Sequence, residues 1–191
     1  MGKPVEAVFS DRDVFADFFT RYYTDIEPDS CIVAEDLDGK VVGYLIGCVH
    51  PTQHSVVSLL MVSLVSGKAL AHWLAGRYDA QDKRFLSWAV LKGRAETPRA
   101  PRGAAHFHFN LLPQWRNSGA ALAMFTEFIE HLKERGVPAI YGQIQTFDDR
   151  RSERVFQRFG FRVLDRKRVT KFDHLVEGPV YVSTVVRDLQ T

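Results

Sequence analysis

The hydrophobic pattern changes period several times along the chain, and each change marks an element. From Asp11 to Thr24 the apolar residues Val14, Phe15, Phe18, Phe19 and Tyr22 recur at three- to four-residue spacing, the repeat of one helical face. Ser10 is placed to cap this helix, with Asp11 and Asp13 acidic in its first turn, and Glu27-Pro28-Asp29 ends it. Two apolar runs, Cys31 to Glu35 and Lys40 to Val49, flank Asp36-Leu37-Asp38-Gly39 and predict a hairpin closed by an Asp-Gly turn.

Residues 51–103 are less regular. Val56 to Leu64 and Ala69 to Leu74 read as buried helix, joined or bent near Gly67, and Phe85 to Leu91 as a further short helix. Pro98, Pro101 and Gly103 close the segment in a basic loop. A helical insertion of this size is equally a cover over a substrate site or an elaboration of packing. From His106 to Leu111 polar and apolar residues alternate, which is a strand, and Leu112-Pro113 stops the alternation. After Gly119 the spacing of Leu122, Phe125, Phe128, Ile129 and Leu132 is helical again. The stretch is therefore strand, tight turn, helix, and the turn Arg116-Asn117-Ser118-Gly119-Ala120-Ala121 sets small residues at a helix start. Free N–H groups and the positive dipole end meet an anion there.

Pro138 to Ile144 predicts a strand after the helix-ending Arg135-Gly136. Asp149 to Arg158 predicts a helix with Val155, Phe156 and Phe159 on its apolar side, stopped by Gly160; Phe161 to Phe172 and Pro179 to Val186 predict two more strands. This order of elements argues for an α/β (α+β) fold, a mixed sheet with helices packed on it.

Composition narrows the class. With 191 residues and 46% hydrophobic content, the chain suits one domain spanning 1–191. Cys31 and Cys48 both lie in apolar runs, so neither a disulfide framework nor a metal-ligand spacing follows; no metal is expected, and a reducing cytoplasm is the simplest setting. No signal-peptide series opens the chain. The most apolar run, Val56 to Val65, is broken by serines and falls short of the roughly 20 residues that span a bilayer, so no membrane is expected.

The net charge of +2 conceals an asymmetry: residues 1–40 carry ten acids against four bases, and residues 150–171 nine bases against two acids. The basic third suits a polyanionic ligand such as a nucleotide cofactor, or is a solvated helix face. The bases lack interleaved exposed aromatics, Phe156 and Phe159 falling on the apolar side of the expected helix, so no nucleic acid is expected as a partner. The acidic N-terminal part suits a cationic ligand.

On these residues the chain resembles the GCN5-related N-acetyltransferase (GNAT) superfamily. Arg116-Asn117-Ser118-Gly119-Ala120-Ala121 satisfies the family's signature of Gln or Arg, two residues, Gly, one residue, then Gly or Ala. Phe159-Gly160-Phe161 resembles its Tyr-x-x-x-Gly-Phe element. The resemblance implies a mostly antiparallel central sheet flanked by helices, with 51–103 as an insertion, and direct acetyl transfer from acetyl-CoA to an amine of a small molecule or protein. It also implies that the backbone of Arg116, Asn117, Ser118, Gly119, Ala120 and Ala121 holds the pyrophosphate, and that Leu111 with Leu112 meets the pantetheine arm. Arg150, Arg151 and Arg154 are further candidates for the phosphates, and a homodimer through the C-terminal strands is a family habit.

Two departures stand out. No carboxylate occupies the strand before the motif, where His106, His108 and Asn110 share one face, so His108 is the candidate base; neutral imidazole titrates near working pH. Phe156 stands where the family has a proton-donating tyrosine, and Asp149 where asparagine is frequent, so either the thiolate leaves unaided or Tyr141 or Tyr181 is the acid. The alternative is a non-catalytic acyl-CoA-binding or regulatory domain.

Overall fold

A computed structural model describes residues 5–116, 118–146 and 156–190. After a 3-10 turn come α1 (Arg12–Phe19), α2 (Arg21–Ile26), β1 (Cys31–Glu35) and β2 (Val41–Cys48); the insertion follows as α3 (Pro51–Leu74), α4 (Ala80–Leu91) and α5 (Gly93–Glu96). The remainder is β3 (Ala105–Leu111), α6 (Ala120–Glu134), β4 (Ala139–Thr146), β5 (Arg162–Arg168) and β6 (Tyr181–Asp188). The described strands form one six-stranded sheet in the order β1-β2-β3-β4-β6-β5. Every neighbouring pair is antiparallel except β3 and β4.

The hairpin forms at the predicted Asp-Gly turn: Asp36 Oδ1 accepts from the amides of Asp38 and Lys40 at 3.0 and 2.9 Å. One face of the sheet is covered by α6, whose Met124, Phe128, Ile129 and Leu132 are buried against Leu45, Phe107, Ile140 and Val185. Phe128, Ile129 and Leu132 are positions the sequence marks; Met124 is buried in place of the expected Leu122, which is exposed, and Phe125 is half-buried at the edge of this core. The opposite face carries α2 and α3, where Tyr22 and Tyr23 pack on Ile46 and Cys48.

Several expectations are corrected. The first helix is two, because the chain turns at Thr20, and its cap is Asp11, whose Oδ1 accepts from Val14 N at 3.1 Å. Ser10 instead gives its amide and hydroxyl to the buried Asp82 of α4, at 2.7 and 2.8 Å. That carboxylate, together with Asp79, also forms the capping box of α4, so one buried acid ties the N-terminus to the insertion. Helix α3 runs unbroken through Gly67 and is not buried: Ala69 alone among its described residues is buried. Periodicity cannot separate a helix apolar all round because it is enclosed from one left with an apolar face outward. By length and composition this helix is long and apolar enough to cross a membrane, unlike the shorter run seen in the sequence. Only residues 156–158 of the expected Asp149–Arg158 helix lie within the described residues, and they are helical.

The basic third also changes meaning. Among its described residues, Arg168 pairs with Asp173 at 3.0 Å, Arg166 stacks 3.8 Å from the Tyr181 ring, and Lys167 Nζ donates to Ala95 O at 3.0 Å. Lys171 lies 4.5 Å from the Trp88 ring, and burial there pushes its pKa down to about 8. Lys167 and Lys171 thus fasten the insertion to the sheet's β5 edge, while Arg166 and Arg168 meet partners in the C-terminal part itself.

Candidate active site

Strands β3 and β4 pair over three residues only, Ala105–Phe107 with Ile140–Gly142, and then diverge. Gly142 permits that last pairing, since a Cβ there would lie 2.5 Å from the Phe107 ring. Beyond it the sheet is split by a cavity of about 540 Å³. Phe109 and Asn110 line it from β3, Gln143, Ile144 and Gln145 from β4, and Phe125 and Phe159 from the α6 side. The amide of Leu112 donates to Val42 O at 2.9 Å. Strand alternation therefore turns the main-chain groups of Phe109 and Leu111 the other way, toward the edge that β4 vacates. Leu111 thus sits where an extended ligand meets open backbone, whereas the Leu112 amide is already engaged.

The signature turn stands beside the mouth of this cleft. A 3-10 turn, Pro113–Trp115, leads to Arg116, and Gly119 at φ +83° enters α6 with no side-chain cap. A side chain there would be strained by the left-handed backbone, although a Cβ would meet nothing within 4 Å. Ser118 Oγ bonds Trp115 O at 2.7 Å and accepts from Ala120 N at 3.3 Å, shaping the turn. Ala121 lines the cleft. Asn117, Asp149, Arg150, Arg151 and Arg154 lie outside the described residues.

A second cavity, of about 290 Å³, opens on the other face between α1, α2, α3 and the sheet. Phe18, Tyr22, Tyr23, His54, His106 and Tyr141 help wall it, and Phe19, Phe107, His108 and Gln143 border both cavities. His108 therefore stands at the junction. Its ring shares the Tyr23 hydroxyl with His106, Nε2 to Oη distances being 3.0 and 2.7 Å. One phenolic proton serves two histidines, so Tyr23 donates to one Nε2 and accepts from the other. Burial, reinforced by neighbouring His54, pushes His108 down to about 4, and burial with both neighbouring histidines pushes His106 down to about 3. His108 is thus neutral at working pH and does not titrate near it, which corrects one premise of the sequence reading. Burial raises Tyr23 and Tyr141, which keep their protons. Tyr141 faces His106 across 5.4 Å in the smaller cavity, and Phe156 lines the larger one.

Sequence reasoning missed Tyr23, His54, Gln143 and Glu27. Tyr23 was hidden in an amphipathic helix, and His54 in a segment with no readable role. Glu27, behind the smaller cavity, accepts from Tyr22 Oη at 2.5 Å, Val49 N at 2.6 Å, His50 N at 3.3 Å and Cys48 Sγ at 3.7 Å. The Cys48, His54 and His106 donors lie within 4.8 Å of one another, but each already has a protein partner: Glu27, Ser58 and Tyr23. Of the N-terminal acids, Asp11 is engaged by His72 and Tyr78 and Asp17 by Lys68, and no carboxylate lines either cavity among the described residues.

The buried histidines have a consequence for stability. Folding favours their neutral forms, so the folded state binds fewer protons than the unfolded one between their values of about 3 and 4 and the ordinary 6.5. Their contribution is complete above pH 6.5 and drains away as pH falls through that window. Thermal denaturation at stepped pH is expected to show Tm falling between pH 6.5 and 4, and the His106→Asn/His108→Asn protein to lose most of that slope. Asp11 and Glu96 are held below the ordinary carboxylate range by their hydrogen-bond donors, so their losses come at lower pH.

Comparison with known proteins agrees with this architecture. No curated protein matches the sequence. Among solved structures, the crystal structure of SsHAT is 24% identical with a TM-score of 0.62, covering 99% of this chain and 87% of that one. Chaetomium thermophilum Naa20, solved with a bisubstrate analogue, is 13% identical with a TM-score of 0.51, covering 91% of this chain and 72% of that one. An N-acetyltransferase from Staphylococcus aureus Mu50 is 10% identical with a TM-score of 0.50, covering 88% and 74%. At these identities the likeness is one of fold. The profile of the Acetyltransferase (GNAT) family matches residues 6–161, and with its mixed sheet parted between β3 and β4 the chain belongs to that family.

Proposed function

We propose that the protein is an acetyl-CoA-dependent N-acetyltransferase in which acetyl-CoA enters the larger cleft and an amine the smaller cavity, the two meeting at His108 and Gln143. The observation that carries this reading is the parting of β3 from β4 after three paired residues, which leaves an open backbone edge at Phe109 and Leu111 beside the start of α6, where Gly119 brings no side chain of its own. Within the turn from Arg116 to Ala121 the amides of Arg116, Ser118 and Ala120 already bond Pro113 O, Trp115 O and Ser118 Oγ, so the pyrophosphate is assigned to the others, those of Asn117, Gly119 and Ala121.

In the proposed reaction the neutral amine nitrogen attacks the thioester carbonyl carbon, the carbon–sulfur bond breaks, and the sulfur leaves as thiolate. The amine's proton passes to His108 and through the Tyr23 hydroxyl to His106, which hands it on to Tyr141 once Tyr141 has protonated the thiolate, so that no charge stays buried. Tyr141, kept protonated by burial, is the proposed proton source for the thiolate. An acceptor amine on a compact apolar body suits an aromatic cavity with no carboxylate in its described lining better than a polycation does.

Acetyl-CoA is expected to raise Tm, and thiol release over a panel of amines to show turnover. Gly119→Val, strained at φ +83°, is expected to abolish most of the Tm rise with little change in secondary structure. No Tm rise in the unaltered protein defeats the cofactor assignment. A Tm rise without thiol release on any amine favours a non-catalytic acyl-CoA-binding domain, a reading to which no feature of the geometry gives preference.

A further inference from the structure

Helix α3 holds the protein by one narrow face. His72 Nδ1 meets Asp11 at 2.6 Å, Lys68 Nζ meets Asp17 at 2.8 Å, and Val57 and Met61 pack beneath, while His54, Ser58 and Met61 line the smaller cavity. Its outer face is open and uncharged, Lys68 being the helix's one Lys, Arg, Asp or Glu and turned inward. Leu59, Leu64 and Leu74 are 71%, 75% and 78% exposed. Ser55 and Ser63 turn their hydroxyls back onto Pro51 O and Leu59 O at 2.8 and 2.9 Å, which lowers the polarity of this face further.

The outer residues have an order that solvent does not require. Val56, Leu60, Ser63, Gly67, Leu70 and Leu74 are all exposed, and their spacing alternates four and three, the period of a seam between two helices. The seam reads the same from both ends. An antiparallel copy, turned about an axis midway along it, sets Val56 against Leu74, Leu60 against Leu70 and Ser63 against Gly67, with the small residues at the crossing. Gly67 has no use within one chain, for a Cβ there would meet nothing within 4 Å and glycine weakens a helix interior. A second backbone at the crossing supplies the missing reason.

We propose that the outer face of α3 is the interface of a twofold homodimer, with the seam from Val56 to Leu74 packed antiparallel on that of a second copy. A lipid surface is the poorer occupant. The inward ties of Lys68 and His72 hold α3 on the protein, an interfacial helix draws on outward Lys and Arg that this one lacks, and the neighbouring α1 presents Asp13. Because the same helix walls the smaller cavity, the dimer braces that wall from behind.

Light scattering on the purified full chain at micromolar concentration is expected to give twice the 21.8 kDa of one copy. Gly67→Leu, which the single chain accommodates, is expected to give one copy with an unchanged circular dichroism spectrum, whereas Leu37→Glu at the hairpin tip leaves the dimer intact. A mixture of Ser63→Cys and Gly67→Cys proteins is expected to form the mixed disulfide dimer in excess over either protein alone. One copy by mass in the unaltered protein overturns the proposal, as does a dimer that survives Gly67→Leu. Flotation with phosphatidylcholine vesicles as a single copy assigns the face to lipid instead and equally overturns it.

Discussion

Tyr23→Phe is expected to lower kcat by about 10²-fold while leaving the acetyl-CoA-induced rise in Tm unchanged. The substitution removes one oxygen and keeps the ring that packs on Ile46 and Cys48, so the cavity wall survives and the hydrogen bonds to His106 and His108 do not. Without the hydroxyl, a proton accepted by His108 has no route to His106 and leaves a cation in a site that burial already makes hostile to one. His108→Ala is expected to have a similar effect, and the double variant to be little worse than either single one, because the two act as a unit. The loss falls on kcat with KM for acetyl-CoA unmoved. Full turnover in Tyr23→Phe would remove the relay from the mechanism; an equal loss in acetyl-CoA affinity would make Tyr23 a structural residue of the cleft.

Glu27→Ala is the substitution expected to cost the most stability, about 3–5 kcal/mol, measured by urea denaturation. The carboxylate is 7% exposed and accepts from four donors drawn from α2, the end of β2 and the residue before α3. Its removal orphans the amide of Val49 and the hydroxyl of Tyr22 where water does not replace it. Glu27→Gln keeps one carbonyl oxygen for Val49 and is expected to recover about half of the loss. Because Glu27 fixes the start of α3 against β2, the alanine variant is also expected to loosen the smaller cavity and raise KM for the amine more than for acetyl-CoA. A loss under about 1 kcal/mol would show that this network does not hold the three elements together.

Much of the fold was readable along the chain because its signals are local. The Asp-Gly hairpin turn needs only the residues that form it, with Asp36 accepting two amides and Gly39 at φ +75°. The apolar face of α6 needs only its own spacing, and the glycine before it only a backbone that must turn left-handed. The family resemblance rested on these elements, and the sheet order agrees with it. The same locality misled where partners were distant. Ser10 looked like a helix cap because a serine before acidic residues normally is one, and it was drawn away by Asp82, 72 residues further on.

What the sequence by itself determined is therefore the element order, the hairpin, the strand-turn-helix that carries the signature, and the shared face of His106 and His108, since each follows from a period or a turn of a few residues. Only the tertiary structure decided what the histidines do. Tyr23 comes to them across 83 and 85 residues, and their pKa values are set by an enclosure built from α1, α2, α3 and the sheet, which no local pattern encodes. It likewise decided that Asp11 and Asp17 in the N-terminal part, and Lys167 and Lys171 in the basic third, are taken up by internal ties, and that α3 turns its uncharged face outward. Burial and charge pairing are properties of which surfaces meet, and those meetings lie too far apart in the chain for spacing to record them.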